Sequence, residues 1–322
     1  MDDTRLLNTG LFVSRPACLA TQAETGRPTL IVTGVARSGT SLIATLLKEI
    51  GVYMGDFLDG VVNEDPRLYE VLRQGDAAAL QDIIRLRNSG HDQWGFKIPN
   101  LNAFLKLSDL ALFRNPHLIV IYRDPVAVAV RNGLSEHFNV LDSMLNTTIA
   151  TYGLAQFVHR ANCPVLLLSY EKVLTRPALA IDQLMEFCGI SLDTGSRKRL
   201  LQHVQPERVE YLESSRRVFE GRIEGVVDNQ LFGWCREVDK LEAIPLEVYA
   251  DEKLIDTVFA CLFRSDLADQ QIGNGCHGFY VDLAGHDLND HSVMRVKIRD
   301  RTLELDNSGQ RLSDLPASTT RP

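Results

Sequence analysis

Eight residues, Gly34-Val35-Ala36-Arg37-Ser38-Gly39-Thr40-Ser41, combine the groups needed to hold an anion. Two glycines five positions apart let the backbone curl so that successive N–H groups converge on one negatively charged group. Arg37 adds a cation inside the loop, and Ser38, Thr40 and Ser41 add hydroxyl donors. This is the chemistry of a phosphate-type cradle. A nucleotide-hydrolysing loop carries lysine directly after the second glycine, where this chain has Thr40. The same two glycines would also serve a tight turn that packs a helix on a strand, so the surroundings have to be read with them.

Those surroundings are Leu30-Ile31-Val32, a short apolar run of the kind buried on both faces of a parallel sheet, and Leu42, Ile43, Leu46, Leu47 and Ile50 at helical spacing ahead of Gly51. The order is strand, loop, helix. It recurs at 118–122, where Leu-Ile-Val-Ile-Tyr runs into Arg123-Asp124-Pro125, with Asp124 suited to a helix cap and Pro125 to its first turn. Val165-Leu166-Leu167-Leu168 and Trp94-Gly95-Phe96-Lys97-Ile98 read as two further strands, and 140–161 and 177–188 as helices. Strands alternating with helices specify an α/β fold, here P-loop-like, with a mostly parallel sheet whose ligands collect at the carboxyl ends of the strands.

Three segments in this order resemble the PAPS-dependent sulfotransferase family, in particular its bacterial and carbohydrate-type branches. LIVTGVARSGTSLIATLLKEIG is similar to the 5′-phosphosulfate loop, LIVIYRDPVAVAV to the 3′-phosphate motif, and VLLLSYEKVLTRPALAIDQLMEFCGI to the segment that closes the core, together spanning about residues 28 to 190. The resemblance implies that Gly34, Arg37 and the backbone of Ser38, Gly39, Thr40 and Ser41 hold the phosphosulfate and that Arg123 takes the 3′-phosphate. It implies Lys97 beside the transferred group and Glu64, in Asn63-Glu64-Asp65-Pro66, as the general base, with Asp65 and His137 as substitutes. Sulfuryl transfer of this kind demands no metal. Two departures stand out. Arg131 occupies the position of a serine that helps bind the 3′-phosphate, which either adds a second guanidinium or hands the task to Ser135. Pro99 occupies the position of a histidine that serves some relatives as base. Tyr170 and Glu171 read as structural residues that pin a strand end.

The chain has 322 residues, ample for a core of its own, and a formal net charge of −8, which argues against coating nucleic acid. No run approaches the roughly 20 apolar residues of a membrane span, and the acidic start does not read as a signal peptide, so a cytoplasmic protein is expected. The six cysteines form no CxxC pair, and most of them read as small apolar core residues rather than as metal ligands. From about Phe219 short strands replace the strand–helix alternation, among them 246–250, 254–259, 278–281 and 293–298. The expected organisation is a lead segment (1–27), a PAPS-binding domain (28–215), a small all-β sandwich (219–308) and a flexible tail (309–322). Gly233-Trp234, Arg264-Ser265-Asp266-Leu267 and Gly278-Phe279 resemble a β-domain appended to bacterial glycosyltransferases and sulfotransferases. Within it Trp234 reads as a buried aromatic or as a platform for a sugar. The functional reading is sulfuryl transfer from PAPS to a hydroxyl or amine on a glycan, glycolipid or small metabolite, entering between 52–75 and 135–150. A P-loop kinase and a non-catalytic glycan-binding scaffold on the same fold are the alternatives.

Overall fold

The computed structural model describes residues 8–14, 26–56, 63–204 and 217–316. They divide into two units. The first comprises residues 1–131 and 141–214, and the second comprises 132–140 and 215–322. The first unit holds a five-stranded sheet in the order β1-β5-β4-β2-β3, formed by β1 (Leu11–Ser14), β2 (Thr29–Gly34), β3 (Trp94–Lys97), β4 (Pro116–Tyr122) and β5 (Val165–Ser169). The four strands expected from the apolar runs are parallel to one another. The lead segment contributes what its composition did not announce, an edge strand: β1 runs antiparallel to β5, with Leu11 opposite Leu168.

The apolar runs are continuous because both faces of the sheet are covered. Leu30, Val32, Ile119, Ile121, Leu166 and Leu168 pack on one side against α1 (Thr40–Glu49), α7 (Pro177–Cys188) and Leu200 of α8 (Thr194–His203). Ile31, Phe96, Leu118, Val120 and Val165 pack on the other side against α2 (Pro66–Gln74), α3 (Ala77–Gly90) and α5 (Val140–Arg160). Helix α4 (Pro125–Glu136) follows β4, and the short α6 (Tyr170–Thr175) follows β5. The expected 3.6-residue patterns at 140–161 and 177–188 are thus α5 and α7. Asp65 and Asp76 cap α2 and α3 by accepting from Leu68 and Ala79 N–H groups.

The second unit is a sandwich of two four-stranded antiparallel sheets. Strands β6 (Phe219–Val227), β7 (Gln230–Glu237), β10 (Leu262–Phe263) and β11 (Cys276–Asp282) form one, and β8 (Ile244–Ala250), β9 (Lys253–Ala260), β12 (Val293–Ile298) and β13 (Gln310–Arg311) form the other. Two tight hairpins turn through pairs of residues with positive φ, Asp228-Asn229 and Asp251-Glu252. Arg264 is buried, pairing with Glu224 and Asp266, and Gly278 leaves it room, since a Cβ there would lie 2.7 Å from the Arg264 Cδ. Trp234 is buried as well.

Residues 309–316, assigned to the expected tail, belong to the sandwich. β13 pairs with β12, Leu315 is buried, and the Pro316 carbonyl accepts from the Val226 N–H at 2.9 Å. A boundary near Ser214 falls outside the described residues. The last turn of α4 groups with the sandwich: the Ser135 carbonyl accepts from Arg217 N–H at 2.8 Å, the His137 carbonyl from Thr302 N–H at 2.7 Å, and the Glu136 carbonyl from Arg301 Nη1.

Of the described cysteines, Cys163, Cys188 and Cys235 are buried, Cys276 is partly buried and Cys261 is exposed. Burial pushes the Cys163 thiol up to about 11 and Cys235 up to about 12, and raises Cys188 further still. At pH 8 an alkylating reagent is expected to label Cys261 in the native protein and Cys163, Cys188 and Cys235 only after unfolding. Peptide mass mapping checks this, and rapid native labelling of Cys235 would contradict the core described here.

Candidate anion-binding site

Register alone brings the site together. Val32 lies opposite Lys97, Gly34 opposite Ile121, and Tyr122 opposite Ser169, so the carboxyl ends of β3, β2, β4 and β5 stand side by side. Lys97 ends β3, the cradle follows β2, Arg123 follows β4, and Tyr170 follows β5.

The cradle depends on its two glycines. A Cβ at Gly34 would overlap the Ser38 Oγ and the Ile121 carbonyl oxygen. Gly39 has φ of 101° and lies against the Tyr170 ring, which a Cβ would strike. Arg37 itself takes the left-handed conformation, with φ of 68°, a strained choice for a residue with a Cβ. The turn closes with the Ser38 N–H on the Val35 carbonyl at 3.0 Å, after which α1 starts at Thr40. No side chain caps that helix, and the positive end of its dipole faces the loop, an arrangement that favours an anion. The Ser38 Oγ is buried with no hydrogen-bond partner among the described residues, which fits an acceptor supplied from outside the chain.

Arg123 is fixed from two sides. Its Nη1 donates to the Arg37 carbonyl at 3.1 Å and its guanidinium lies 4.6 Å from the centre of the Tyr170 ring. Its Nε is buried without a partner among the described residues. Arg131, two turns along α4, feels both Arg37 and Arg123. Burial first, and then the charges of those two arginines, hold its guanidinium below the usual arginine range. The arginine that follows β2 and the two that follow β4 are therefore within electrostatic reach of one another.

Lys97 is buried, and its Nζ donates to Glu64 Oε1 at 2.7 Å and to Ser41 Oγ at 3.4 Å. Glu64 is half exposed and is held by its neighbours: Asn63, buried with φ of 54°, donates to Thr45 Oγ1 of α1 at 2.8 Å, and Asp65 is locked to Arg87 of α3 at 2.5 Å. The three alternatives for the base differ in their surroundings. Asp65 is fully buried in a cap and an ion pair, so it is not placed to take a proton from an entering ligand. His137 belongs to the second unit, as does Ser135. Glu171 accepts from the Asp124 N–H at 3.0 Å and thereby ties α6 to the end of β4, as its structural reading requires. Tyr170 does more than pin a strand: it forms the floor shared by Gly39 and Arg123. An aromatic residue opening a short helix at a strand end, with a glycine to face it, was the available signal. The expected entrance includes 57–62, which lie outside the described residues. Among the described residues no three His, Cys, Asp or Glu side chains cluster.

Fold and site define a P-loop-like α/β protein whose cradle carries Arg37 inside the loop and Thr40 at the position of the lysine of a nucleotide-hydrolysing loop. No family model and no curated protein matches the chain. Among solved structures it is similar to retinol dehydratase in complex with androsterone and the inactive cofactor PAP, at 17% identity over 61% of this chain and 69% of that one, with a TM-score of 0.37. It is similar to a mouse sulfotransferase complexed with PAP, at 12% identity over 58% of this chain and 66% of that one, with a TM-score of 0.39. It is also similar to shikimate kinase from Bacteroides thetaiotaomicron, at 14% identity over 58% of this chain and 99% of that one, with a TM-score of 0.31.

If the gathered guanidinium groups await an anion, inorganic phosphate will raise the melting temperature. At 100 times its Kd the gain is about 2.7 kcal/mol. In Arg131→Met the phosphate-induced shift is expected to fall by about half. Differential scanning fluorimetry checks both, and a wild-type protein indifferent to phosphate would remove the anion from the cradle.

Proposed function

We propose that the chain transfers a sulfuryl group from PAPS to a hydroxyl or amine. The observation that carries this reading is the pairing of two cationic places at neighbouring strand ends: a cradle with Arg37 after β2, and Arg123 with Arg131 after β4. A donor with a phosphosulfate at one end of its ribose and a phosphate at the other needs two such places. A nucleoside triphosphate needs one, together with the lysine that Thr40 replaces.

In this reading the backbone at the start of α1, Ser38 and Arg37 hold the phosphosulfate, while Arg123 and Arg131 take the 3′-phosphate through charge-assisted hydrogen bonds. Glu64 accepts the proton of the acceptor hydroxyl as its oxygen attacks sulfur in line. The bond from sulfur to the bridging phosphate oxygen breaks, and Lys97 and Arg37 stabilise the negative charge that develops there. In the ligand-free protein Lys97 and Glu64 neutralise one another, so the arriving donor has to draw the ammonium group away and leave the carboxylate to the acceptor. A glycan, glycolipid or small metabolite is the acceptor class we favour, with the sandwich as an accessory unit and the cytoplasm as the site of action.

Calorimetric titration with 3′,5′-adenosine bisphosphate, beside ATP with magnesium, tests the reading. Micromolar binding of the bisphosphate alone is expected. Preference for ATP would favour a kinase, and silence from both would favour a scaffold that kept the fold. Replacing Arg37 with Ala is expected to slow sulfuryl transfer on the order of 100-fold, the loss that follows removal of one preorganised charge contact. Unchanged turnover would take Arg37 out of the mechanism.

A further inference from the structure

The 21-residue helix α5 carries its polarity inside out along its first half. Ser143 and Thr147 are buried, whereas Leu141, Leu145, Ile149 and Tyr152 are 58–71% exposed. Between Ser143 and Val158 the sequence contains no charged residue. A helix that faces water normally turns its charges outward. Here Asp142 stands at the start, His159 and Arg160 at the end, and none between. The exposed positions Leu141, Leu145, Thr148, Tyr152, Ala155 and His159 follow at spacings of four and three, the seam of a helical pair.

We propose that this face pairs with the same face of a second copy of the chain, the two α5 helices running antiparallel about a two-fold axis. Charge selects this occupant. Each copy carries a formal −8, so self-association needs a contact that is free of like charges and sets opposite ones together. Asp142 and Arg160 lie about five turns and about 27 Å apart, and so occupy the same side of the helix at opposite ends. Antiparallel pairing sets Asp142 of each copy beside Arg160 of the other, giving two symmetric ion pairs, whereas parallel pairing would oppose Asp142 to itself. The axis passes near Thr151, with the two Tyr152 rings close to it. A bilayer surface is the poorer occupant, because interfacial helices carry Lys and Arg on the polar face beside the apolar one. The proposal holds whatever the cradle binds.

Sedimentation equilibrium on the intact chain tests it. A dimer is expected, and the double variant Leu145→Glu/Ile149→Glu is expected to be monomeric with an unchanged far-UV circular dichroism spectrum. At low salt Arg160→Glu is expected to weaken the dimer about fivefold, the effect of exposed ion pairs, and Asp142→Arg combined with Arg160→Glu to restore it. A monomer at every concentration, a dimer that survives the double variant, or a charge swap that restores nothing would overturn the proposal. Flotation of the wild type with phosphatidylcholine vesicles, lost in the double variant, would assign the face to a membrane instead.

Discussion

The structure depends on holding like charges together. Arg37, Arg123 and Arg131 crowd at the ends of adjacent strands in a protein whose overall charge is negative, and the crowding is visible in the lowered proton affinity of Arg131. Burying guanidinium groups beside each other is costly unless each finds donor-matched oxygen or an aromatic face. The fold supplies these locally: the Arg37 carbonyl and the Tyr170 ring for Arg123, and the carboxylate of Glu64 for the neighbouring Lys97.

Backbone shape then decides which anion fits. Gly34 and Gly39 allow the chain to pass closer to β4 and to Tyr170 than any side chain would permit. No side chain caps α1, and its dipole adds positive potential at the loop. The difference from a lysine-bearing loop is geometric as much as electrostatic: a guanidinium inside the loop is a fork, and a lysine after it is a movable point charge.

Much of this was legible before any coordinates. The strand–loop–helix order, the four parallel strands and the helices α5 and α7 follow from apolar runs and 3.6-residue spacing, because burial on both faces of a sheet leaves an unbroken apolar signature. Arg37, Arg123 and Lys97 were readable because each stands just after or at the end of such a run. What escaped had non-local causes. β1 is a half-exposed four-residue strand whose pairing with β5 is set by tertiary contact, not composition. The role of Tyr170 depends on Gly39, some 130 residues earlier. Asp65 and Glu64 are adjacent and chemically alike, and only the position of Arg87 distinguishes them. The β6–β7 hairpin turns on Asp228-Asn229, a pair without the glycine that usually marks such turns.

The last turn of α4 has a consequence in time. Its carbonyls at Glu136 and His137 are satisfied by Arg301 and Thr302, each 165 residues from its partner. On a ribosome adding about 5–20 residues per second, those groups stay hydrated for roughly 10–30 seconds after the helix itself has been made. The chain therefore matures in two stages, with the strand ends of the first unit able to assemble early and the far end of α4 fixed only when the sandwich is nearly complete.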